Sequence, residues 1–286
     1  MITSIKAYAK INLALNVYDR MDNGYHNIDM ITIPLALHDI VELDPLPKGY
    51  ESFITSDDIS LPTDESNLTH IAFTKFKQQY PFDNNFLIHI YKRIPMCAGL
   101  GGGSSNAAAV INALRKKLKI NISDDELTEL GRTIGGDVAF CIFNKPARCK
   151  GIGEKLEFIT LKKKYHVLLI KPNQGVSTAQ AYNLFDTLEN KEENLCDIEK
   201  VIEALKNGDD ETLAKEMKNS LQPCACSLVP EISSIIQTLK DDGFPLTMMS
   251  GSGSTVFCLS NNYRLLAKEA EKFDDDDHTV ILTTTL

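Results

Sequence analysis

The sequence predicts an α+β protein of two domains, and three observations lead there. The chain has 286 residues, 43% of them hydrophobic and 24% charged, enough for one large core or two modest ones. Strand-like alternation and helix-like periodicity both occur in each half. A charged stretch, Leu161-Lys162-Lys163-Lys164, precedes a fresh apolar run, which divides the chain into 1–160 and 161–286.

The first element alternates cleanly. Ile5, Ala7, Ala9, Ile11, Leu13, Leu15 and Val17 share one face of a strand, and Lys6, Tyr8, Lys10, Asn12 and Asn16 share the other. A polar face holding two cations is unusual for a plain core strand. A second strand is expected from about Met30 to Leu43, and Phe86, Ile88 and Ile90 alternate in a third. From Ser104 the spacing turns helical, with Ala107, Val110, Ile111, Leu114 and Leu118 on one stripe. Ser123-Asp124-Asp125-Glu126 is a capping box that opens the next helix. Leu127 and Leu130 give that helix its apolar side, and it should end near Gly135-Gly136. The second half is expected to run as a strand from Tyr165 to Lys171, several helices, a strand–turn–strand from Met248 to Leu259, a helix, and a last strand near Val280 to Thr284.

Composition removes several classes. No run approaches the ~18 apolar residues of a membrane span. The start, Met1 to Lys6, lacks the apolar core of a secretory signal. A cytoplasmic protein with no membrane partner is therefore expected. The seven cysteines are odd in number and form no C-x-x-C, so neither a disulfide framework nor a zinc site is expected. The close pair Cys224 and Cys226 is read as buried thiols. Lys and Arg total 30 against 39 Asp and Glu, a net charge of −9, which offers no basic field for nucleic acid. An anionic ligand would need a local basic pocket. Asp274 to Asp277 reads as a solvated turn, since four adjacent side chains cannot converge on one ion. No metal-ligating residue is assigned.

The strongest local signal is Pro95-Met96-Cys97-Ala98-Gly99-Leu100-Gly101-Gly102-Gly103-Ser104-Ser105. Where side chains are missing, backbone amides converge on a ligand without Cβ clashes. The loop runs into a helix, whose unpaired N–H groups and dipole point the same way. Together these make a site for phosphate oxygens, with Ser104 and Ser105 adding hydroxyls for phosphate or magnesium. The plainer alternative is a flexible turn before an ordinary capped helix. G-x-x-x-x-G-K-[ST] occurs nowhere, G-x-G-x-x-G fits poorly, and the protein-kinase motifs H-R-D and D-F-G are missing.

Three more constellations accompany the loop: Ala9-Lys10-Ile11-Asn12-Leu13 leading to Gly24-Tyr25-His26, Gly135-Gly136-Asp137, and Met249 to Thr255. In this order the four segments resemble the GHMP kinase superfamily of galactose, homoserine, mevalonate and phosphomevalonate kinases. K-R-I-P before the glycine loop, G-x-D-V-x-F, Gly151 to Glu154 and Gly175 to Tyr182 narrow the resemblance. They match the branch that acts on 4-diphosphocytidyl-2-C-methyl-D-erythritol in non-mevalonate isoprenoid synthesis. The match covers about Ile5 to about Leu259. It departs at Met21-Asp22-Asn23, where the family reads R-P-D, and at Asn219-Ser220-Leu221, where it reads N-D-L.

The resemblance implies a two-domain fold. Its N-terminal domain has a left-handed βαβ crossover, its C-terminal domain is ferredoxin-like, and the active site lies in the cleft between them. It implies phosphorylation of the 2-hydroxyl by ATP, with Mg²⁺ alongside, by a monomer or homodimer. Asp137 matches the catalytic base and Lys10 the catalytic cation. The segment from Pro95 to Ser105 matches the ATP loop, and Asn67 and Lys92 match positions lining the adenine pocket. Asn12, Tyr25, His26 and Tyr182 match the residues that bind the cytidine diphosphate substrate. The residues alone leave other readings open. Asp137 and Asn67 could be helix caps, Lys10 a surface lysine beside Lys6, Lys92 an edge-strand charge, and Tyr182 helix core. The remaining histidines, His38, His70, His89, His166 and His278, show no ligand spacing. Another small alcohol, such as homoserine or a mevalonate derivative, is the alternative acceptor, and a nucleotide-binding regulator without chemistry is the rival class.

Overall fold

A computed structural model describes residues 1–22 and 24–286; Asn23, in the departing motif, lies outside them. The chain forms two compact units that interleave in sequence. Residues Met1–Ala9, Leu37–Met96 and Gly101–Asn144 make the first, and Lys10–Ala36, Cys97–Leu100 and Lys145–Leu286 the second.

Two long strands, β1 (Thr3–Arg20) and β2 (His26–Pro45), pair with each other and contribute residues to both units. Both run further than alternation alone predicts. The polar face of β1 is the larger difference. Lys10, Asn12 and Asn16 are 4%, 1% and 3% exposed, so this strand is buried on both faces and its polar side chains need internal partners.

The first unit holds β3 (Phe53–Ser56), α1 (Leu68–Gln79), β4 (Phe86–Tyr91), α2 (Gly102–Leu118), α3 (Asp124–Ile134) and α4 (Val138–Phe143). β3 pairs parallel with β4 through α1, a βαβ unit, and β4 pairs antiparallel with the end of β2. Phe86, Ile88 and Ile90 are buried on alternate positions as their spacing predicts. β3 was not legible in the sequence, being only 4 residues long. α2 is the central helix, with every residue from Ser105 to Ile111 buried, and α1 and α4 pack on it. Both capping-box bonds of α3 form, Glu126 N donating to Ser123 Oγ and Ser123 N to Glu126 Oε2. The helix stops at Ile134, before Gly135.

The C-terminal stretch of the second unit begins with β5 (Ala147–Gly151), which pairs antiparallel with the start of β2 and with β6 (Lys155–Phe158). Then come β7 (His166–Pro172), α5 (Thr178–Asp186), α6 (Ile198–Asn207), α7 (Asp210–Glu216), α8 (Gln222–Leu228) and α9 (Glu231–Asp241). The chain closes with β8 (Thr247–Met249), β9 (Val256–Ser260), α10 (Tyr263–Ala270) and β10 (His278–Thr284). The last sheet has the order β10-β7-β9-β8. Counting its own strands from β7, this is the 4-1-3-2 order of a ferredoxin-like sheet, with α9 and α10 packed on it. Asp274 to Asp277 is exposed, and Asp275 accepts from His278 and from its own turn at Asp277 N. Cys224 is buried and Cys226 half-buried, both as free thiols. Among the described residues no helix is long and apolar enough to cross a membrane.

Candidate functional site

In the first unit the glycine run opens α2. Gly101 occupies the N-cap position with φ 71°, where a Cβ would be strained, and no side chain caps the helix there. Gly102 and Gly103 form the first turn, whose amides have no intrahelical acceptor and are left for whatever binds this end. Ser105 is buried and donates its hydroxyl to Tyr8 O at 2.7 Å, which ties α2 to β1.

Lys92 is no edge-strand charge. Its ammonium lies 2.5 Å from Asp39 Oδ2, with the two side chains 5% and 0% exposed. Asn67 caps α1: its Oδ1 accepts from Thr69 N at 2.8 Å, and its Nδ2 donates to Pro62 O.

Asp137 stands at the N-cap position of α4, but its backbone is right-handed helical and its side chain makes no capping hydrogen bond. The capping role that Asp after glycine suggests is therefore not what this carboxylate does. Its position is set from behind, where Val138, Ala139, Phe140, Cys141 and Ile142 are all buried. α3 reaches α4 at Gly131, where a Cβ would come 2.8 Å from Ala139 N.

In the second unit, Lys10 is buried rather than on the surface, and its Nζ donates to Asn12 Oδ1 at 2.8 Å. Asn12 Nδ2 donates in turn to Thr32 Oγ1 at 2.9 Å and to Met30 Sδ at 3.2 Å. Asn12 thus orients Lys10. The main chain of Lys10 donates to Leu100 O at 3.0 Å, fastening the loop segment Cys97–Leu100 to β1. The turn between β8 and β9 holds the same segment, Ser250 Oγ donating to Gly99 O at 3.0 Å. Gly99 has φ 71° and a Cβ there would fall 2.1 Å from Ser250 O, so only glycine permits this approach. A Cβ at Gly251 would sit 3.3 Å from Lys10 Nζ. Asn219, whose neighbour Ser220 departs from the family pattern, anchors the turn between β8 and β9. Its Nδ2 donates to Met249 O and Gly251 O at 3.0 and 2.8 Å, and its Oδ1 accepts from Leu221 N.

His26 and Tyr182 stack in the second unit with centroids 4.8 Å apart, and His26 Nε2 lies 2.7 Å from Asp186 Oδ1. Tyr182 is half-buried, not core, and Tyr25 is 60% exposed. Arg20 donates through Nε to Gly24 O at 3.0 Å, two residues before His26.

Sequence reasoning missed Asp39, Asp186 and the full reach of Asn219. Asp39 had a signal, because it alternates with Val41 and Leu43 on the inward face of β2, where a carboxylate demands a partner. Asp186 had none, since its partner lies 160 residues earlier. An open depression of about 520 Å³, lined among others by Lys6, Asn112, Arg115 and Lys116, contains none of the expected site residues. Among the described residues no group of three or more His, Cys, Asp or Glu is placed to hold a metal.

Two family models match the chain, the GHMP kinases N terminal domain over residues 67–145 and the GHMP kinases C terminal domain over residues 201–276. A protein of Caldicellulosiruptor bescii named 4-diphosphocytidyl-2-C-methyl-D-erythritol kinase is 35% identical over 98% of this chain and 97% of its own. A protein of the same name from Clostridium acetobutylicum is 37% identical over 94% of both. The crystal structure of a 4-(cytidine 5'-diphospho)-2C-methyl-D-erythritol kinase superposes with a TM-score of 0.81, at 28% identity, over 99% of this chain and 98% of that one. A homoserine kinase from Cytophaga hutchinsonii, at 18% identity and a TM-score of 0.77 over 99% and 95%, shares the fold. With both halves matched by family models and relatives this similar nearly end to end, the chain belongs to the GHMP kinase family, the ATP-dependent kinases of small molecules.

Proposed function

We propose that this kinase transfers the γ-phosphoryl group of ATP to the 2-hydroxyl of 4-diphosphocytidyl-2-C-methyl-D-erythritol, in the cytoplasm, on the non-mevalonate route to isoprenoid precursors. The observation that carries the kinase reading is the side-chain-free start of α2, whose N-cap glycine leaves its first amides to a phosphate. The acceptor rests on relatives of that name at 35% and 37% identity over 98% and 94% of the chain. A division at 160/161 is proposed on the same footing, since the two matched segments, 67–145 and 201–276, fall on either side of it.

The roles follow from chemistry. The 2-hydroxyl oxygen attacks the γ-phosphorus, a new P–O bond forms, and the bond to the β-phosphate oxygen breaks to leave ADP. Asp137 accepts the hydroxyl proton, a role compatible with a carboxylate that makes no capping bond. Lys10, oriented by Asn12, offsets charge on the transferring group. The segment from Pro95 to Ser105 takes the triphosphate, and Asn67 and Lys92 border the adenine. Tyr25 and Tyr182 line the cytosine. Asp186 engages Nε2 of His26, which makes Nδ1 the nitrogen for the base. Magnesium is held mostly by nucleotide phosphates and water, with one or two protein oxygens. The Ser104 hydroxyl, half-buried at the start of α2, is an oxygen of the right kind to hold the ion, which would supply charge neutralisation at the phosphates.

ADP release with the cytidine substrate, and with homoserine and mevalonate as competitors, tests the assignment. Better turnover of an acceptor without cytidine defeats the substrate reading. Asp137→Asn should slow turnover by ~10²–10⁴ with ATP binding retained; near-parental turnover removes Asp137 from the base role.

A further inference from the structure

We infer that Asp39 is a positioning residue for the nucleotide, fixing the charge and the main chain at the start of α2. Four donors converge on its fully buried carboxylate. Arg93 N and Ile94 N donate to Oδ1 at 2.7 and 2.8 Å, and Lys92 Nζ and Asn106 Nδ2 donate to Oδ2 at 2.5 and 2.8 Å. Arg93 and Ile94 lead directly into the glycine loop, and Asn106 lies in the second turn of α2. One side chain thereby ties both ends of that loop to β2.

The placement of the lysine gives this clamp its functional reading. A Cβ at Gly102 would lie 3.3 Å from Lys92 Nζ, so the ammonium rests against the first residue of α2. A cation at a helix N-terminus opposes the dipole and does not settle there unaided. Asp39 supplies the opposite charge that holds it. With the ammonium neutralised and the main chain on either side of the loop tied to one carboxylate, an incoming nucleotide meets helix amides that are already in place. A burial this complete also makes the pair sensitive, because removing one partner strands the other charge in the interior.

The test uses the full-length enzyme and the variants Asp39→Asn, Lys92→Met and the double variant. It measures the ATP Kd by titration calorimetry, the KM for the cytidine alcohol, and the thermal midpoint. Asp39→Asn is expected to weaken ATP binding roughly tenfold to a hundredfold, to leave the alcohol KM within about twofold, and to lower the midpoint. The double variant should recover the midpoint, since no unpaired buried charge remains, yet keep the weakened Kd. If Asp39→Asn alone does not fold, the double variant is read against Lys92→Met: a weaker ATP Kd in the double variant than in Lys92→Met supports the role of Asp39, and equal values overturn it. Recovery of the Kd together with the midpoint marks a purely structural ion pair and overturns the inference, as does a parental Kd in Asp39→Asn. The inference rests on reading the start of α2 as the nucleotide site. Gly103→Val separates the two, because a Cβ there meets nothing nearer than Leu68 Cδ1 at 3.7 Å. A parental Kd in Gly103→Val defeats the loop reading. A weakened Kd there beside a parental Kd in Asp39→Asn defeats only the role of Asp39.

Discussion

Gly131→Ala sets two effects of opposite sign against each other. Alanine in a helix interior is favoured over glycine by about 0.5–1 kcal/mol. The added methyl, however, would sit 2.8 Å from Ala139 N and 2.9 Å from Ala139 Cα, both backbone atoms, when ordinary contact begins at 3.4 Å. A backbone cannot rotate away as a side chain does, so α3 and α4 must part by about 0.6 Å at this point. Overpacking of this kind costs about 1–3 kcal/mol, which outweighs the propensity gain. The net loss of about 1–2 kcal/mol should lower the thermal midpoint by a few degrees, at ~2–4 °C per kcal/mol for a chain of this size. The same shift displaces Asp137 at the head of α4, so kcat should fall by about tenfold, more than either KM rises. Gly135→Ala is the matched control. It lies nearer to Asp137 in sequence, yet its φ is 178° and its Cβ would meet only Val138 Cγ2 at an ordinary 3.5 Å. Calorimetry and steady-state kinetics on both variants decide the matter. Equal damage from the two, or a Gly131→Ala enzyme as stable and active as its parent, would refute the reasoning.

Three further outcomes are expected. Ser123→Ala removes the capping box of α3 and should cost about 1 kcal/mol in urea denaturation, with kcat unchanged. Asn219→Ala strips hydrogen bonds from Met249 O, Gly251 O and Leu221 N at a buried site, and should cost about 2–4 kcal/mol by the same measurement. Burial pushes the Cys196 thiol up to about 11 and the Cys258 thiol up to about 12, from 9.0 for a free thiol. The unfolded chain then loses these protons first as pH rises. The contribution of these two thiols to folding stability is fully present below pH 9 and is lost from there toward pH 12, so stability should fall over that range. In native enzyme at pH 8, iodoacetamide should mark exposed Cys97 and spare both, as peptide mapping will show.

Much of the fold was legible because its signals are local. The capping box of α3, the alternation in β4 and the glycine start of α2 are decided within a few residues, by backbone sterics and nearest hydrogen bonds. The boundary at Ile134 follows from the glycines that succeed it. Short edge elements such as β3 and β6, of 4 residues each, carry too few side chains to show a period.

What the sequence alone determined is the chemistry available: main chain without side chains at a helix start, a carboxylate after two glycines, a lysine and an asparagine two residues apart on one strand. Tertiary structure decided which partners those groups meet. Lys10 and Asn12 became a buried pair, His26 met a carboxylate 160 residues away, and Lys92 met Asp39 across 53 residues. The reason is physical. A buried polar group must find a partner, but its identity depends on which distant segments the core brings within 3 Å, and no local pattern encodes that distance.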